Sequence, residues 1–194
     1  ESEAAASCYD RVYESPRPEL FFKATPHRVS AHGQPLRIRV DYKWNVPEPE
    51  LTLFMNSAGE IQGYTIGNDM SSRSIEGENP LYLPQAKVYE RSAAIGPCLL
   101  VPEQPIPSDT LIQMKILRDG APQYSDAVPI SQMKRGQEEL AGYLFREMDF
   151  PIGCYLMTGT CLVPDASFTL QENDVVEITI DPIGTLINTI AIKK

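Results

Sequence analysis

Histidine is scarce in this chain, which has only His27 and His32 among its 194 residues. Catalytic zinc sites rely heavily on histidine ligands, so this scarcity argues against a zinc enzyme. The sequence has no run of about 18 apolar residues, which argues against a membrane-spanning helix. Basic residues are also few, with 17 Lys and Arg against 26 Asp and Glu and a net charge of −9. This balance argues against sequence-independent nucleic-acid binding, which needs a basic surface.

The four cysteines, Cys8, Cys98, Cys154 and Cys161, are scattered and form no C-x-x-C pair. This pattern predicts free thiols in a reducing compartment. The chain begins at Glu1, without Met and without the apolar segment of a signal peptide. We therefore expect that an N-terminal part, a further domain, is missing from this sequence.

Length and local pattern predict one β-rich α+β domain. The 17 prolines disfavour a helical bundle, because proline breaks helix interiors. One long helix is predicted over residues 132–148, with Ser131 as its N-cap. Residues 1–17 are predicted to be a linker or tail. Alternating apolar residues predict strands over residues 36–40, 112–116, 154–157, 174–180 and 185–190.

Residues 46–69 have the pattern of a β-hairpin, two alternating runs around a short turn that contains glycine. A two-residue turn at Ala58 and Gly59 would place Leu53 opposite Tyr64 and give one continuous apolar face. A slip of one residue would move these side chains to the other face, so the hydrophobic pattern supports this register.

The same register gathers three carboxylates at one end of the hairpin. It places Asp69 opposite Glu48, with Glu50 on the same face, and directly opposed side chains have Cβ atoms about 5 Å apart. Gly67, opposite Glu50, is expected to leave space there. Three carboxylates this close repel one another unless a cation neutralises them or one is protonated. Their oxygens suit Mg²⁺ or Mn²⁺ better than Ca²⁺. The alternative is an acidic, solvated end of a hairpin.

Five blocks of sequence then point to a known family. They are residues 18–23 (PELFFK), 46–51 (VPEPEL), 63–73 (GYTIGNDMSSR), 158–160 (TGT) and 183–189 (IGTLINT). Together, and in this order, they resemble the fumarylacetoacetate hydrolase family. A further stretch, residues 78–89 (ENPLYLPQAKVY), is similar to the sugar-acid branch of that family. That branch contains the 2-keto-3-deoxy-pentonate dehydratases of pentose catabolism, which act on acids derived from D-xylonate or D-arabinonate.

The resemblance implies a mixed β-roll of the fumarylacetoacetate hydrolase C-terminal domain type over residues 18–194, the catalytic domain. It implies Mg²⁺, with Mn²⁺ as the alternative, held by Glu48, Glu50 and Asp69. Members are generally cytoplasmic dimers or tetramers, so we expect a cytoplasmic homodimer or homotetramer with a small-molecule 2-keto acid substrate and no nucleic-acid or membrane partner. The further site residues that it implies are Lys87, as catalytic and substrate-binding residue, and Thr160, Arg73 and Tyr89, as substrate-binding residues.

Several of these roles have alternatives. Arg73 could be an internal ion-pair anchor, and Tyr89 could simply pack in the core. The general base is open: Lys87 could serve if burial or the nearby cation depresses its pKa. The sequence departs from the family pattern at Ser74, where an Asp is common, which weakens one support for Arg73. It also lacks the H-x-x-E motif of the hydrolase and decarboxylase members.

The function implied is Mg²⁺-dependent dehydration of a 2-keto-3-deoxy pentonate to 2-oxoglutarate semialdehyde through a metal-stabilised enolate, which makes the protein a lyase. One alternative is a C–C bond hydrolase or decarboxylase of 2-keto acids of the acylpyruvate or oxaloacetate type. A second alternative is a non-catalytic, ligand-binding member of the family.

Overall fold

The computed structural model describes residues 14–193, so Cys8 and most of the predicted linker lie outside the described residues. Within this range the chain is dominated by strands. These are β1 (Val29–Ser30), β2 (Leu36–Arg37), β3 (Asn45–Val46), β4 (Pro49–Met55), β5 (Ile61–Asp69), β6 (Ser71–Ser72), β7 (Ala93–Leu100), β8 (Leu111–Arg118), β9 (Ala121–Pro129), β10 (Cys154–Met157), β11 (Val175–Ile180) and β12 (Gly184–Ala191).

The helices that the structure describes are short. The α-helices are α1 (Arg73–Glu78), α2 (Leu83–Lys87) and α3 (Gln137–Leu144), and single 3₁₀ turns occur at Pro26–Arg28, Pro80–Tyr82 and Ile130–Gln132. None of the helices in residues 14–193 is long and apolar enough to cross a membrane. The prediction of a β-rich α+β domain is confirmed.

Two five-stranded sheets form the body of the molecule. The first has the order β1-β7-β5-β4-β10, the second has the order β2-β12-β11-β8-β9, and β3 pairs with β6 separately. Both large sheets are mixed, because β1 runs parallel to β7 and β2 runs parallel to β12, while the other pairs are antiparallel.

The hydrophobic core lies between the two large sheets. In β11, Val176, Ile178 and Ile180 alternate with less buried residues, as expected for a strand with one face towards the core. They belong to one cluster that also contains Leu51 and Leu53 of the first sheet. The first sheet therefore uses one face for the core, and its other face is available for a site.

The predicted long helix is wrong at both ends. Helix α3 spans only Gln137–Leu144, and its N-cap is Gly136, not Ser131. The backbone N–H of Ser131 donates instead to Ser108 O (2.7 Å), which holds this segment in a 3₁₀ turn against the preceding loop. Met148, the last residue of the predicted helix, lies beyond the end of α3 and is 49% exposed.

The predicted strands at 112–116, 154–157, 174–180 and 185–190 are present, each within about one or two residues of its predicted bounds. The strand predicted over residues 36–40 is shorter and ends at Arg37. Its parallel partner β12 ends opposite that residue, at Ala191, and the Arg39 side chain turns to Asp41 and to the Gln85 carbonyl.

Strands β4 and β5 pair in the predicted register. Leu53 lies opposite Tyr64 and Leu51 opposite Ile66, and all four side chains are buried. The requirement for one continuous apolar face therefore identified the correct pairing.

The turn that joins these strands differs from the prediction by one residue. Asn56 and Glu60 close it, through a bond from Asn56 N to Glu60 O (3.1 Å), and a bulge at the end of β4 restores the register. The Asn56 side chain fixes this turn, because its Oδ1 accepts from the N–H groups of Ala58 and Glu60, each at 3.0 Å. Gly59 supplies the left-handed conformation that the turn requires (φ +81°).

Candidate metal centre

Three carboxylates meet on the face of β4 and β5 that points away from the core. Asp69 N donates to Glu48 O (2.9 Å), so these two residues are opposed as predicted, and Glu50 lies opposite Gly67. One carboxylate oxygen from each acidic side chain lies within 4.8 Å of the other two. We call Glu48, Glu50 and Asp69 the carboxylate cluster. All three residues are at most 5% exposed, so the alternative of a solvated acidic end is wrong.

The space expected beside Gly67 is filled. A Cβ atom added at Gly67 would come within 2.3 Å of Thr52 Oγ1 and 3.0 Å of Met157 Cε. The glycine therefore permits close packing against these two side chains and leaves no room there for a substrate. Any opening to the cluster must lie elsewhere.

Lys87, the last residue of α2, reaches into the carboxylate cluster. Its Nζ lies 2.5 Å from Glu48 Oε2 and 3.1 Å from Asp69 Oδ2, and it also donates to Ser71 Oγ. Burial lowers the pKa of Lys87, but the charges of Glu48 and Asp69 outweigh burial and hold that pKa well above its usual range. In these surroundings the Lys87 ammonium group is a hydrogen-bond donor to both carboxylates.

Lys23 is a second lysine at the cluster, with a largely buried side chain, and no role was predicted for it from the sequence. Its Nζ lies 2.6 Å from Asp69 Oδ1 and donates to Met70 O (3.0 Å) and to Lys87 O. Burial lowers the pKa of Lys23, and the charge of Asp69 opposes this effect. The sequence offered one indication that Lys23 matters, its position in the block at residues 18–23 that resembles the family. That block does not reveal that Lys23 contacts Asp69.

Arg73, at the start of α1, lies at the other side of Glu48. Its Nη1 is 3.7 Å from Glu48 Oε1 and 3.4 Å from Glu76 Oε2, and its guanidinium lies 5.7 Å from the centre of the Trp44 ring. Ser74 Oγ accepts from Trp44 N (3.0 Å), so this serine supports Arg73 indirectly, through the tryptophan. These contacts favour an ion-pair anchor as the role of Arg73.

The block at residues 158–160 lies against Glu50. Gly159 N donates to Glu50 Oε2 (2.6 Å), and Thr158 Oγ1 donates to Leu51 O (2.7 Å) on the neighbouring strand. Thr160 is half-buried, and its hydroxyl bonds to the backbone of Leu162. The structure therefore places Thr160 next to a residue that contacts the cluster.

Crowding of like charge is the main electrostatic feature of the cluster. Burial, followed by the charges of Asp69 and Glu48, raises the pKa of Glu50 to about 8. Burial likewise raises the pKa of Glu48, in opposition to the charge of Lys87. A divalent cation would relieve this crowding, and three carboxylate oxygens are hard ligands of the kind that Mg²⁺ and Mn²⁺ prefer. The residues present therefore fit such an ion.

Tyr89 lies between two cations near the cluster. Its ring centre is 5.7 Å from the Arg39 guanidinium and 5.9 Å from Lys23 Nζ. Its buried hydroxyl has no hydrogen-bond partner among the described residues. A buried hydroxyl without a hydrogen-bond partner costs free energy, which a polar partner would recover.

The fold and the carboxylate cluster together are those of a β-roll domain with a buried site for a divalent cation. The family model of the fumarylacetoacetate (FAA) hydrolase C-terminal domain matches residues 2–191, and the chain belongs to this family. The mixed β-roll fold that the sequence implied is thereby confirmed.

Two curated relatives resemble this chain over nearly all of its length. It is 50% identical over 191 residues to the "Probable 2-keto-3-deoxyxylonate dehydratase" of Haloferax volcanii, covering 98% of this chain and 66% of that protein. It is 44% identical over 183 residues to the 2-dehydro-3-deoxy-D-arabinonate dehydratase of Saccharolobus solfataricus, covering 94% of this chain and 61% of that protein. The chain therefore spans somewhat less than two thirds of the length of these relatives.

A solved structure shares the fold closely. It is a 2-keto-3-deoxy-D-arabinonate dehydratase complexed with magnesium and 2,5-dioxopentanoate, with a TM-score of 0.93 and 44% identity. The match covers 96% of this chain and 66% of that chain. The predicted resemblance to the sugar-acid branch of the family is confirmed.

Proposed function

We propose that this protein dehydrates a 2-keto-3-deoxy pentonate to 2,5-dioxopentanoate, which is 2-oxoglutarate semialdehyde. The observation that carries the proposal is the buried cluster of Glu48, Glu50 and Asp69 bridged by Lys87, in a chain 44–50% identical to two dehydratases of such acids. In the reaction C3 loses a proton and C4 loses its hydroxyl group, which gives a double bond between C3 and C4. C5 then loses a proton and C3 regains one, so that the double bond moves to C4 and C5, and this enol becomes the aldehyde when C4 takes up a proton and the C5 hydroxyl loses one. One water leaves in total.

A Mg²⁺ or Mn²⁺ held by Glu48, Glu50 and Asp69 would supply Lewis-acid stabilisation of the negative charge that develops when C3 of a 2-keto acid loses its proton. The chain itself supplies the orientation of the three ligands. Glu48 is held by Lys87 and Arg73, Asp69 by Lys87 and Lys23, and Glu50 by the backbone of Gly159.

Lys87 is the proposed catalytic residue. Its ammonium group is buried beside the carboxylates, and from there it can donate hydrogen bonds to the carboxylate or keto oxygen of the substrate. Its raised pKa favours this donor role over that of a base.

Three further residues are proposed at the substrate. Thr160 follows the glycine that binds Glu50, and we assign it to the carboxylate end of the substrate. Tyr89 offers a buried hydroxyl without a partner in the part of the chain that the structure describes. Arg73 contacts Glu48, Glu76 and Trp44, and we propose that it acts on the substrate mainly through Glu48.

Location and assembly belong to the same proposal. The free thiols of Cys98, Cys154 and Cys161 are consistent with a reducing compartment, and we propose the cytoplasm. We propose that residues 18–194 form the catalytic domain and that the protein is a homodimer or homotetramer, which sedimentation of the intact protein would test.

The decisive experiment is to incubate the intact protein with Mg²⁺ and 2-keto-3-deoxy-D-xylonate, and to follow the aldehyde of 2,5-dioxopentanoate. A parallel sample contains EDTA, and a second uses the D-arabinonate-derived acid. We expect product only when the metal is present. Absence of product with both acids, from folded protein that binds Mg²⁺, would overturn the dehydratase and direct attention to cleavage of acylpyruvates or decarboxylation of oxaloacetate.

A further inference from the structure

The ammonium group of Lys23 contacts three groups that belong to two separate segments of the metal centre. Lys23 lies before β1 in the chain, and its side chain is 13% exposed. Its contacts are the Asp69 carboxylate, the backbone carbonyl of Met70 and the backbone carbonyl of Lys87, the last of these 64 residues away in sequence.

Two of these contacts are hydrogen bonds, to Met70 O and Lys87 O, and the third is an ion pair with Asp69 Oδ1. A lysine ammonium group carries three N–H bonds and accepts none, and here three oxygen atoms surround it. All three oxygen atoms belong to groups of the metal centre. We therefore expect Lys23 to affect the reaction through the groups that it holds.

Two of those groups are central to the proposed function. The carboxylate of Asp69 is divided between two lysines, with Oδ1 held by Lys23 and Oδ2 held by Lys87. Lys23 also holds the carbonyl of Lys87 itself, at the end of α2. It thus fixes the rotation of one proposed metal ligand and the position of the proposed catalytic residue relative to that ligand.

A second connection between the same segments does not involve Lys23. Ser92 Oγ donates to Lys87 O (2.8 Å), and Ser92 O accepts from Met70 N (2.9 Å). The backbone near the cluster is therefore tied together even without the lysine. What Lys23 adds is the orientation of the Asp69 carboxylate.

We propose that Lys23 is a positioning residue of the metal centre. It orients the Asp69 carboxylate for a divalent cation and holds Lys87 at a fixed position relative to Asp69. The inference rests on the proposed function for its substrate, although its metal-binding part can be measured without substrate. Partners that hold a metal ligand from behind typically contribute 10–100-fold to metal affinity or activity, and about that much is expected here.

Charge and orientation predict opposite results when Lys23 is replaced. If the lysine acted only as a nearby positive charge, its removal would strengthen the binding of a cation. If it orients Asp69, its removal weakens cation binding although the site has lost a positive charge. The sign of the change in affinity therefore separates the two roles.

The test is a titration of the intact protein with Mn²⁺, in which electron paramagnetic resonance measures the free ion. The variants are Lys23→Met, Lys23→Arg and, as a matched control, Lys115→Met on the exposed side of β8. We expect Lys23→Met to raise the dissociation constant about 10–100-fold and Lys115→Met to leave it unchanged. Lys23→Arg keeps the charge but not the three-way contact, so its dissociation constant should fall between those of the wild type and Lys23→Met.

Turnover at saturating Mn²⁺ is the second readout. Because the contacts of Lys23 are with Asp69 and with the backbone of Met70 and Lys87, kcat should fall in Lys23→Met while KM for the 2-keto acid changes less than about threefold. General destabilisation would not separate kcat from KM in this way. If Lys23→Met fails to fold, Lys23→Arg alone decides: weakened binding supports the inference, and wild-type affinity overturns it.

The two proposals fail in different ways. Wild-type protein that binds no Mn²⁺ overturns both the metal centre and the role of Lys23. Wild-type protein that binds Mn²⁺ but forms no 2,5-dioxopentanoate overturns the dehydratase and leaves the affinity test intact. Lys23→Met protein that binds Mn²⁺ as tightly as the wild type, or more tightly, overturns the role of Lys23 alone.

Discussion

Buried carboxylates occur in both large sheets of this protein, but their surroundings differ. In the second sheet region Asp174 is fully buried and binds Arg118 through two bonds, Nε to Oδ1 and Nη2 to Oδ2, each 2.8 Å. Gln171 N donates to the same carboxylate (2.8 Å). Asp174 and Arg118 therefore form a bidentate ion pair in which both carboxylate oxygens have hydrogen-bond donors. Such a pair needs no ligand to stabilise it.

The carboxylate cluster of the first sheet has no such one-to-one pairing. Glu48 and Asp69 share Lys87, and Glu50 takes a backbone N–H while burial and its two acidic neighbours raise its pKa to about 8. The comparison shows that burial of an acid alone does not identify a site. Three carboxylates within 4.8 Å of one another, two of which share one lysine, do identify a candidate site, because a cation would stabilise this crowding of like charge.

The largest expected effect comes from Glu50→Gln, which removes one carboxylate from the cluster with little change of shape. If the cation contributes several kcal/mol to the barrier, kcat/KM for the 2-keto acid should fall at least about a thousandfold, since roughly 1.4 kcal/mol corresponds to a factor of ten. Steady-state kinetics at several Mg²⁺ concentrations measures this. Glu172→Gln, at an exposed acid, is the matched control.

The same variant has a pH signature in EDTA. The folded wild type holds a proton on Glu50 up to about pH 8, whereas the unfolded chain loses it near pH 4.5. The folded state therefore binds more protons between these values, and wild-type stability falls as pH rises through that window. Glu50→Gln lacks this contribution, so its stability relative to wild type should increase from pH 5 to pH 8 in urea titrations. A constant difference would contradict the raised pKa.

Lys87→Met is expected to have the next largest effect. Removing a residue that acts in proton transfer or charge stabilisation typically costs 10²–10⁴-fold, and kcat should fall by about that factor. Mn²⁺ affinity should stay the same or increase, because Lys87 competes with a cation for oxygens of Glu48 and Asp69. This is opposite to the change expected for Lys23→Met. If both variants lost affinity equally, the distinction between the two lysines would be wrong.

Arg118→Met is expected to change stability and not activity. It leaves Asp174 buried without its cationic partner, which typically costs about 3–5 kcal/mol of unfolding free energy. Urea denaturation measures this cost, and kcat/KM should stay within about twofold at a temperature where the variant is folded. A large loss of activity in the folded variant would show that the second sheet takes part in the site, and the comparison of the two regions would fail.

Much of the site could be predicted from the sequence because one constraint dominated it. The alternation of Leu51 and Leu53 with polar residues allows only one register that keeps the apolar face continuous, and that register brings Glu48 opposite Asp69. The predicted turn differs from the observed turn by one residue. The reason is that the Asn56 side chain accepts hydrogen bonds from the backbone N–H groups of Ala58 and Glu60, which a count of residues does not reveal.

The sequence by itself determined the β-rich class, the hairpin register and the three carboxylates, since all of these follow from period-two alternation and from short family blocks. Only the tertiary structure decided how long α3 is, what fills the space at Gly67, and where Lys23 lies. The physical reason is the same in each case. Helix ends depend on backbone bonds to distant loops, packing depends on neighbouring strands, and Lys23 meets Lys87 across 64 residues of sequence.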